Sequence, residues 1–312
     1  MDNKKTSIVG LGEALFDVFP DRQILGGAPM NVAVHADQML RVIGGQGIVA
    51  SRIGDDELGC ELGRELAERG MSTQSIQIDT DRPTGQVFVT FEEGNHVFDI
   101  AKDSAWDGLQ YDTGFSGLAR RCSAVCFGTL AQRSPQSRLA IHQFLRDAES
   151  AIRLFDVNLR QHYFDRDVIL QSCRAASAVK LNDEELPVVA KLLALNDATS
   201  CDSSDVMDEC LVTLCERFAL DFVALTRGER GTVLLNSSGR FEAVPAGYPM
   251  TNKADTVGAG DACAAGLLVG GLLDWPPERI LQLANRAGAY VASVPGATPE
   301  LPEEIFQMIA GE

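Results

Sequence analysis

Between Asp255 and Asp261 the chain reads Asp-Thr-Val-Gly-Ala-Gly-Asp, and Ala262-Cys263-Ala264-Ala265-Gly266-Leu267-Leu268-Val269 follows without one charged side chain. A segment apolar on every side predicts a helix buried all round, with its amino end held rigidly by the core. The first turn of such a helix carries unpaired N–H groups at the positive pole of its dipole, which suits a phosphate. Small residues keep that turn open to an anion. Asp255 and Asp261 bracket it, and Asp261 falls where an attacking hydroxyl would be oriented and would lose its proton. The plainer alternative is a tight glycine turn that starts a core helix, with Asp261 as a capping residue.

A second block lies far upstream, at Gly26-Gly27-Ala28-Pro29-Met30-Asn31-Val32-Ala33. The glycine pair lets backbone approach a ligand, and Pro29 suits a first helical turn. Spacing of Val32, Ala36, Met39 and Leu40 predicts a helix from about Pro29 to Leu40, with Asn31 off its apolar face. The two blocks resemble the signatures D-T-x-G-A-G-D and G-G-A-x-x-N-x-A of the PfkB family of carbohydrate kinases, the ribokinase-like sugar and nucleoside kinases. The resemblance runs from Gly12 to about Pro299. It implies an ATP-dependent sugar kinase in which Asp261 is the catalytic carboxylate and Gly258, Ala259 and Gly260 present backbone N–H groups to the migrating phosphoryl group.

Short β-branched runs at 48–51, 124–128, 154–157, 178–181 and 222–226 alternate with helical patterns at 57–69, 135–148, 205–218 and 277–293. Such alternation predicts an α/β fold with a mainly parallel sheet between helical layers. Two stretches, 15–25 and 85–100, read instead as antiparallel β structure. The resemblance implies a ribokinase-like three-layer sandwich, one domain over residues 1–312, with lid strands inserted at about 15–25 and 85–104. It also suggests a homodimer built through the lid, since such strands bury little core by themselves.

Composition narrows the function classes. Lys plus Arg total 27 against 44 for Asp plus Glu, a net charge of −17, and no dense basic run is present. Nucleic acid is an unsuitable partner for such a surface. Any phosphate site must work through backbone dipoles, a cation and a few placed basic side chains. The eight cysteines lack the CxxC spacing of a zinc or redox site, and His35, His96, His142 and His162 are scattered. No apolar run is long enough for a membrane span or a signal segment, so a cytoplasmic location is expected.

Further site residues follow from local similarity to the family. Asp17, after the strand that begins at Ser7, is expected to hold sugar hydroxyls together with Asn31 and the Gly26-Gly27 backbone. Phe155-Asp156-Val157-Asn158-Leu159-Arg160 resembles the D-P-N-x-R segment of fructokinases and 2-keto-3-deoxygluconate kinases, with Val157 in place of proline. That implies Asn158 at the sugar and Arg160 near the phosphate or an acidic substrate. Lys180-Leu181-Asn182 with Glu185 matches an N-x-x-E element expected to organise hydrated Mg²⁺ and phosphates. Thr226 and Gly228 belong to a T-x-G-x-x-G-like nucleotide element, with Asn252 and Asn285 on the adenine side. Asp255, with carbonyls of Val291, Val294 and Gly296, is the candidate seat for K⁺. Phe127 to Ser134 also resembles fructokinases, so fructose to fructose 6-phosphate is the expected reaction, with 2-keto-3-deoxygluconate and ribose as alternatives.

Two other classes compete. Gly10-Leu11-Gly12-Glu13-Ala14-Leu15 imitates a dinucleotide fingerprint but lacks its last glycine, and it would leave both signatures without a purpose. A non-catalytic sugar sensor on the same scaffold would need neither Asp261 nor the Asn182 and Glu185 pair.

Overall fold

The computed structural model describes residues 5–92, 95–195, 204–245, 247–251 and 254–311. Among these are thirteen strands: β1 (Ser7–Leu11), β2 (Leu15–Val18), β3 (Gln23–Gly26), β4 (Gln46–Gly54), β5 (Ile76–Asp79), β6 (Gly85–Glu92), β7 (Asn95–Ile100), β8 (Ala124–Phe127), β9 (Ile152–Asp156), β10 (Ala178–Asn182), β11 (Phe222–Thr226), β12 (Thr232–Asn236) and β13 (Gly239–Ala243). The helices are α1 (Ala28–Arg41), α2 (Glu57–Glu68), α3 (Thr113–Arg121), α4 (Pro135–Asp147), α5 (Arg166–Ala175), α6 (Glu185–Leu193), α7 (Ser204–Phe218), α8 (Ala259–Leu272), α9 (Pro277–Ser293) and α10 (Glu303–Ala310).

Nine strands form one sheet in the order β13-β12-β11-β10-β9-β8-β1-β4-β5. From β5 to β11 every pairing is parallel, and only the β11–β12 and β12–β13 pairings at the edge are antiparallel. Because successive strand residues point to opposite faces, Val9 and Val125 join one core while Ile8 and Ala124 join the other. Residues of α3 to α7 fill the first core; α1, α8, α9 and α10 supply the second, and α2 packs beside α1. This is the α/β sandwich the alternating pattern predicts. Near-continuous apolar strands such as Ala124–Phe127 are what burial on both faces demands.

The α8 helix is buried without interruption from Ala262 to Gly270. Its small residues permit unusually close packing: a Cβ added at Gly266 would lie 2.6 Å from the Cα of Ala284 on α9. Burying Leu267 and Leu268 contributes roughly 1.5–3 kcal/mol each, which anchors the helix whose first turn carries Asp261.

A second sheet of four strands runs β3-β2-β6-β7. Its β2 pairs antiparallel with β3 and parallel with β6, and β6 pairs antiparallel with β7. The β4 strand is longer than its apolar centre suggests, because Ser51 and Arg52 continue it alongside β5 and the Ser51 hydroxyl donates to the Gly12 carbonyl at 2.6 Å. The strand run expected at 48–51 thus extends to Gly54, and the buried Ser51 hydrogen bond helps to keep its polar end in the strand. No helix among the described residues is long and apolar enough to cross a membrane.

Candidate active site

Strand β1 lies between β4 and β8, where the chain winds off to both sides, and such a switch point leaves a crevice beyond the carboxyl ends of the strands. A cleft of about 620 Å³ opens there. Glu13, Asp156, Lys180 and Thr226 enter it from strand ends, Leu15, Asp17, Val87, Phe98 and Ile100 from the smaller sheet, and Gly258, Gly260 and Asp261 from the start of α8.

Two glycines are required by close approach. Gly258 has φ 79°, and a Cβ on it would meet the Ala297 carbonyl oxygen at 2.1 Å. Gly27 has φ 113°, and its Cβ would lie 2.5 Å from the carbonyl oxygen of Glu13. An L side chain at either place would move the turn it sits in.

The Asn31 amide donates to Oδ2 of Asp261 at 2.8 Å, across 230 residues of sequence. The two signature blocks therefore meet at one carboxylate. Burial, followed by the nearby Asp156 charge, pushes Asp261 up to about 6, against the opposing pull of Asn31, Lys180 and Arg160. Although enclosed by protein, Asp261 keeps some surface open to the cleft. Burial also lifts Asp17 to about 6, with Arg160 acting in the other direction.

Lys180 is buried and donates to both oxygens of Asp156, at 2.9 and 3.0 Å. Burial is the largest single influence and works against its charge, but Asp156, Cys263 and Glu185 together outweigh it and hold the ammonium above its ordinary pKa. Its Nζ lies 3.5 Å from where a Cβ on Gly260 would stand, which puts a fixed positive charge beneath the glycine turn.

Glu185 acts as a stitch. Its Oε1 accepts the Leu159 N–H and its Oε2 the Asn182 N–H, each at 2.9 Å. It thereby ties the loop carrying Asn158 and Arg160 to the end of β10. Asn182 Oδ1 accepts the N–H groups of Glu184 and Glu185, so its capping role is realised. Asn158 takes φ 41°, a left-handed turn that asparagine tolerates, and its carbonyl accepts the Thr129 hydroxyl at 3.1 Å. Asn158 and Arg160 both line the cleft. Gly26 does not, but its Cα faces the Asp17 carboxylate, 2.8 Å from the position of an added Cβ.

Other expected residues sit apart. Thr226 lines the cleft, whereas Gly228 is exposed beyond it. Asn285, expected on the adenine side, is buried under β12 and β13 outside the cleft lining, where its amide oxygen accepts the Thr232 hydroxyl at 2.6 Å and its nitrogen donates to the Ala243 carbonyl at 2.7 Å. A buried amide takes the nearest polar partners, and here these are structural. The Val291 carbonyl accepts the Val294 N–H at 3.3 Å and closes α9, which leaves one lone pair of that oxygen unused by this bond. Asp255 accepts from Val257 at 3.1 Å and from Gly296 at 3.3 Å, so it braces the turn against the segment after α9. Asn252 lies outside the described residues.

Two groups in the cleft are absent from the residues singled out by sequence. Asp156 ends a buried strand, and a charge closing an apolar run was the available signal. Glu13 is 3% exposed, and its Oε2 has no protein partner. Burial raises its pKa to about 7. It follows Gly12 at the end of β1, but its neighbours in sequence do not reveal that it faces the same space as Asp261.

A fold with this switch-point cleft and a helix-borne carboxylate over a glycine turn defines a phosphotransferase-like α/β enzyme. The pfkB family carbohydrate kinase profile matches residues 11–304. The chain belongs to that family and is an ATP-dependent carbohydrate kinase. It is 28% identical to the fructokinase of Klebsiella pneumoniae, over 94% of this chain and 95% of that one. Among solved structures it superposes on fructokinase with bound ATP from Xylella fastidiosa with a TM-score of 0.81, at 22% identity, covering 98% of each chain. Aminoimidazole riboside kinase from Salmonella enterica matches with a TM-score of 0.76, at 20% identity, over 97% of this chain and 100% of that one.

Proposed function

We propose that this chain phosphorylates fructose, giving fructose 6-phosphate and ADP. The observation that carries a sugar-kinase site is the Asn31–Asp261 hydrogen bond, which unites a sugar-side helix with a phosphate-side helix at one carboxylate. The choice of fructose is supported by relatives named fructokinase that align over nearly the whole chain.

Glu13, Asp17 and Asn31 orient the sugar, with the Gly27 backbone as one wall. Asp261 accepts the proton of the attacking hydroxyl as its oxygen bonds to the γ-phosphorus and the bond to the ADP oxygen breaks. In a loose transition state the proton leaves late, so positioning counts for more than basicity. N–H groups at the start of α8, with Lys180 beneath and Arg160 across the cleft, stabilise the charge on the phosphoryl oxygens. Thr226 and the exposed turn at Gly228 flank the nucleotide.

Asn182 and Glu185 already accept backbone N–H groups, so they suit contact with a hydrated Mg²⁺ better than direct ligation, and the ion would shield phosphate charge. Asp255 has lone pairs left for K⁺, although its main contacts are the two bracing bonds. The smaller sheet exposes Phe88, 42% accessible, on the face opposite the one that lines the cleft, which offers a surface for a lid-to-lid homodimer. Sedimentation as a monomer would remove the dimer, and equal rates in K⁺ and tetramethylammonium would remove the cation.

The deciding experiment is a coupled ADP-release assay with fructose, ribose, 2-keto-3-deoxygluconate and adenosine. Fastest turnover on fructose is expected. Release with another sugar alone reassigns the substrate, whereas measurable fructose binding without ADP release points to a sensor.

A further inference from the structure

Helix α1 carries three polar side chains at i, i+4 and i+7, a spacing that places them on one face. Asn31 donates to Asp261 at 2.8 Å; His35 Nε2 lies 3.0 Å from the Ala297 carbonyl oxygen; Gln38 Nε2 donates to the Pro299 carbonyl at 3.1 Å. Gln38 Oε1 also accepts the Leu301 N–H at 2.8 Å. This face therefore follows the segment 297–301 up to the catalytic carboxylate.

His35 is the telling member. It is fully buried, and since a carbonyl can only accept, Nε2 carries the hydrogen. Its other ring nitrogen, Nδ1, is buried without a partner. An apolar residue would fill the same space without leaving a bare nitrogen. What histidine adds is the single N–H directed at Ala297. That carbonyl is the group against which Gly258 is pressed, with no room for a Cβ between them. Gly258 in turn sets the entry into α8, three residues before Asp261.

We propose that His35 is a positioning residue: by holding the Ala297 carbonyl against Gly258, it fixes the glycine turn relative to Asp261 and the sugar held along α1. The inference rests on the phosphoryl-transfer reading of Asp261. Burial keeps the ring neutral, with a pKa near 4, so the contact persists through the working pH range.

The test compares His35→Leu, which fills the space without a donor, with His35→Gln, whose amide nitrogen reaches nearly as far as Nε2. Measurements are kcat, KM for sugar and for ATP, and Tm. His35→Leu should lose about tenfold or more in kcat, with ATP KM nearly unchanged, and His35→Gln should recover most of that loss. A packing role predicts the reverse ranking, because leucine suits a buried site better than glutamine. The expected signature is thus Tm higher for leucine but kcat higher for glutamine. Wild-type kcat in His35→Leu, or an equal kcat loss in both variants, overturns the proposal. If the unaltered chain releases no ADP with any sugar, the phosphoryl-transfer reading falls and takes this inference with it; an active wild type with an unaffected leucine variant removes the inference alone.

Discussion

The two halves of the proposed site, the cleft itself and the surface beyond it toward β12 and β13, are built on opposite principles. On the sugar side, Glu13, Asp17 and Asp261 are carboxyl groups pressed into low-dielectric surroundings, with pKa values raised to about 7, 6 and 6 and an unpartnered oxygen on Glu13. On the side proposed for the nucleotide, Gly228 is exposed beyond the cleft lining and the buried Asn285 amide accepts one bond and donates one within the protein. One half stores unsatisfied polarity at a cost in stability; the other is relaxed and open. Unsatisfied buried groups are what a polar ligand can complete, so under the proposed function discrimination would belong to the first half and tolerance to the second.

The largest effect should come from the carboxylate shared by both halves. Asp261→Asn is expected to lower kcat by about 10²–10⁴-fold while ATP affinity, measured by titration calorimetry, stays near wild type. Near-wild-type turnover would sink the assignment. In the wild type, kcat/KM should rise as pH passes upward through about 6, because Asp261 accepts a proton only when ionised. A flat profile from pH 5 to 8 contradicts that.

Next in size is the ion pair beneath the turn. Lys180→Met leaves Asp156 charged, buried and unpaired, and should destabilise the fold by about 3–5 kcal/mol in a denaturant titration. The paired change Lys180→Met with Asp156→Leu should recover much of that stability yet remain inactive.

Glu13 sharpens the contrast through its sign. Its folded pKa, about 7, lies above its ordinary value of 4.5, so its contribution is fully present below pH 4.5 and lost as pH rises through 7. Glu13→Gln should therefore raise the unfolding free energy of the ligand-free protein at pH 8, by at most ~3 kcal/mol in a denaturant titration, with the gain shrinking toward acid pH. Sugar KM should worsen at the same time. A gain independent of pH would mean that Glu13 is not a buried ion.

The smallest effect belongs to the nucleotide half. Asn285→Ala should cost about 1–2 kcal/mol of stability by stranding Thr232 and the Ala243 carbonyl, without raising ATP KM at a temperature where the variant is folded. A large rise in ATP KM would return Asn285 to the adenine side.

Much of the fold could be read from periodicity. The parallel strands and the helices α1, α2, α4, α7 and α9 carry strong patterns, and the apolar run after Asp261 predicts a helix buried all round. Short helices such as α3 are less visible; it starts with an Asp112 cap whose bond to the Phe115 N–H, at 2.8 Å, is a local matter. Site residues inside glycine-rich turns were legible because the turn chemistry restricts which residues fit. Glu13, Asp156 and His35 were not, since their importance lies in what surrounds them.

Sequence alone determined the layered α/β architecture, the placement of Asp261 at the head of a buried helix and the likeness to sugar kinases, because these follow from local patterns of hydrophobicity, glycine and charge. Only the tertiary structure decided that Asn31 reaches Asp261, that one oxygen of Glu13 stands bare in the same cleft, that Asn285 bonds Thr232 and Ala243 and that His35 touches the wall of the glycine turn. Those contacts join residues up to 262 positions apart. Burial and hydrogen-bond partnership are properties of the packed chain, and no residue carries them by itself.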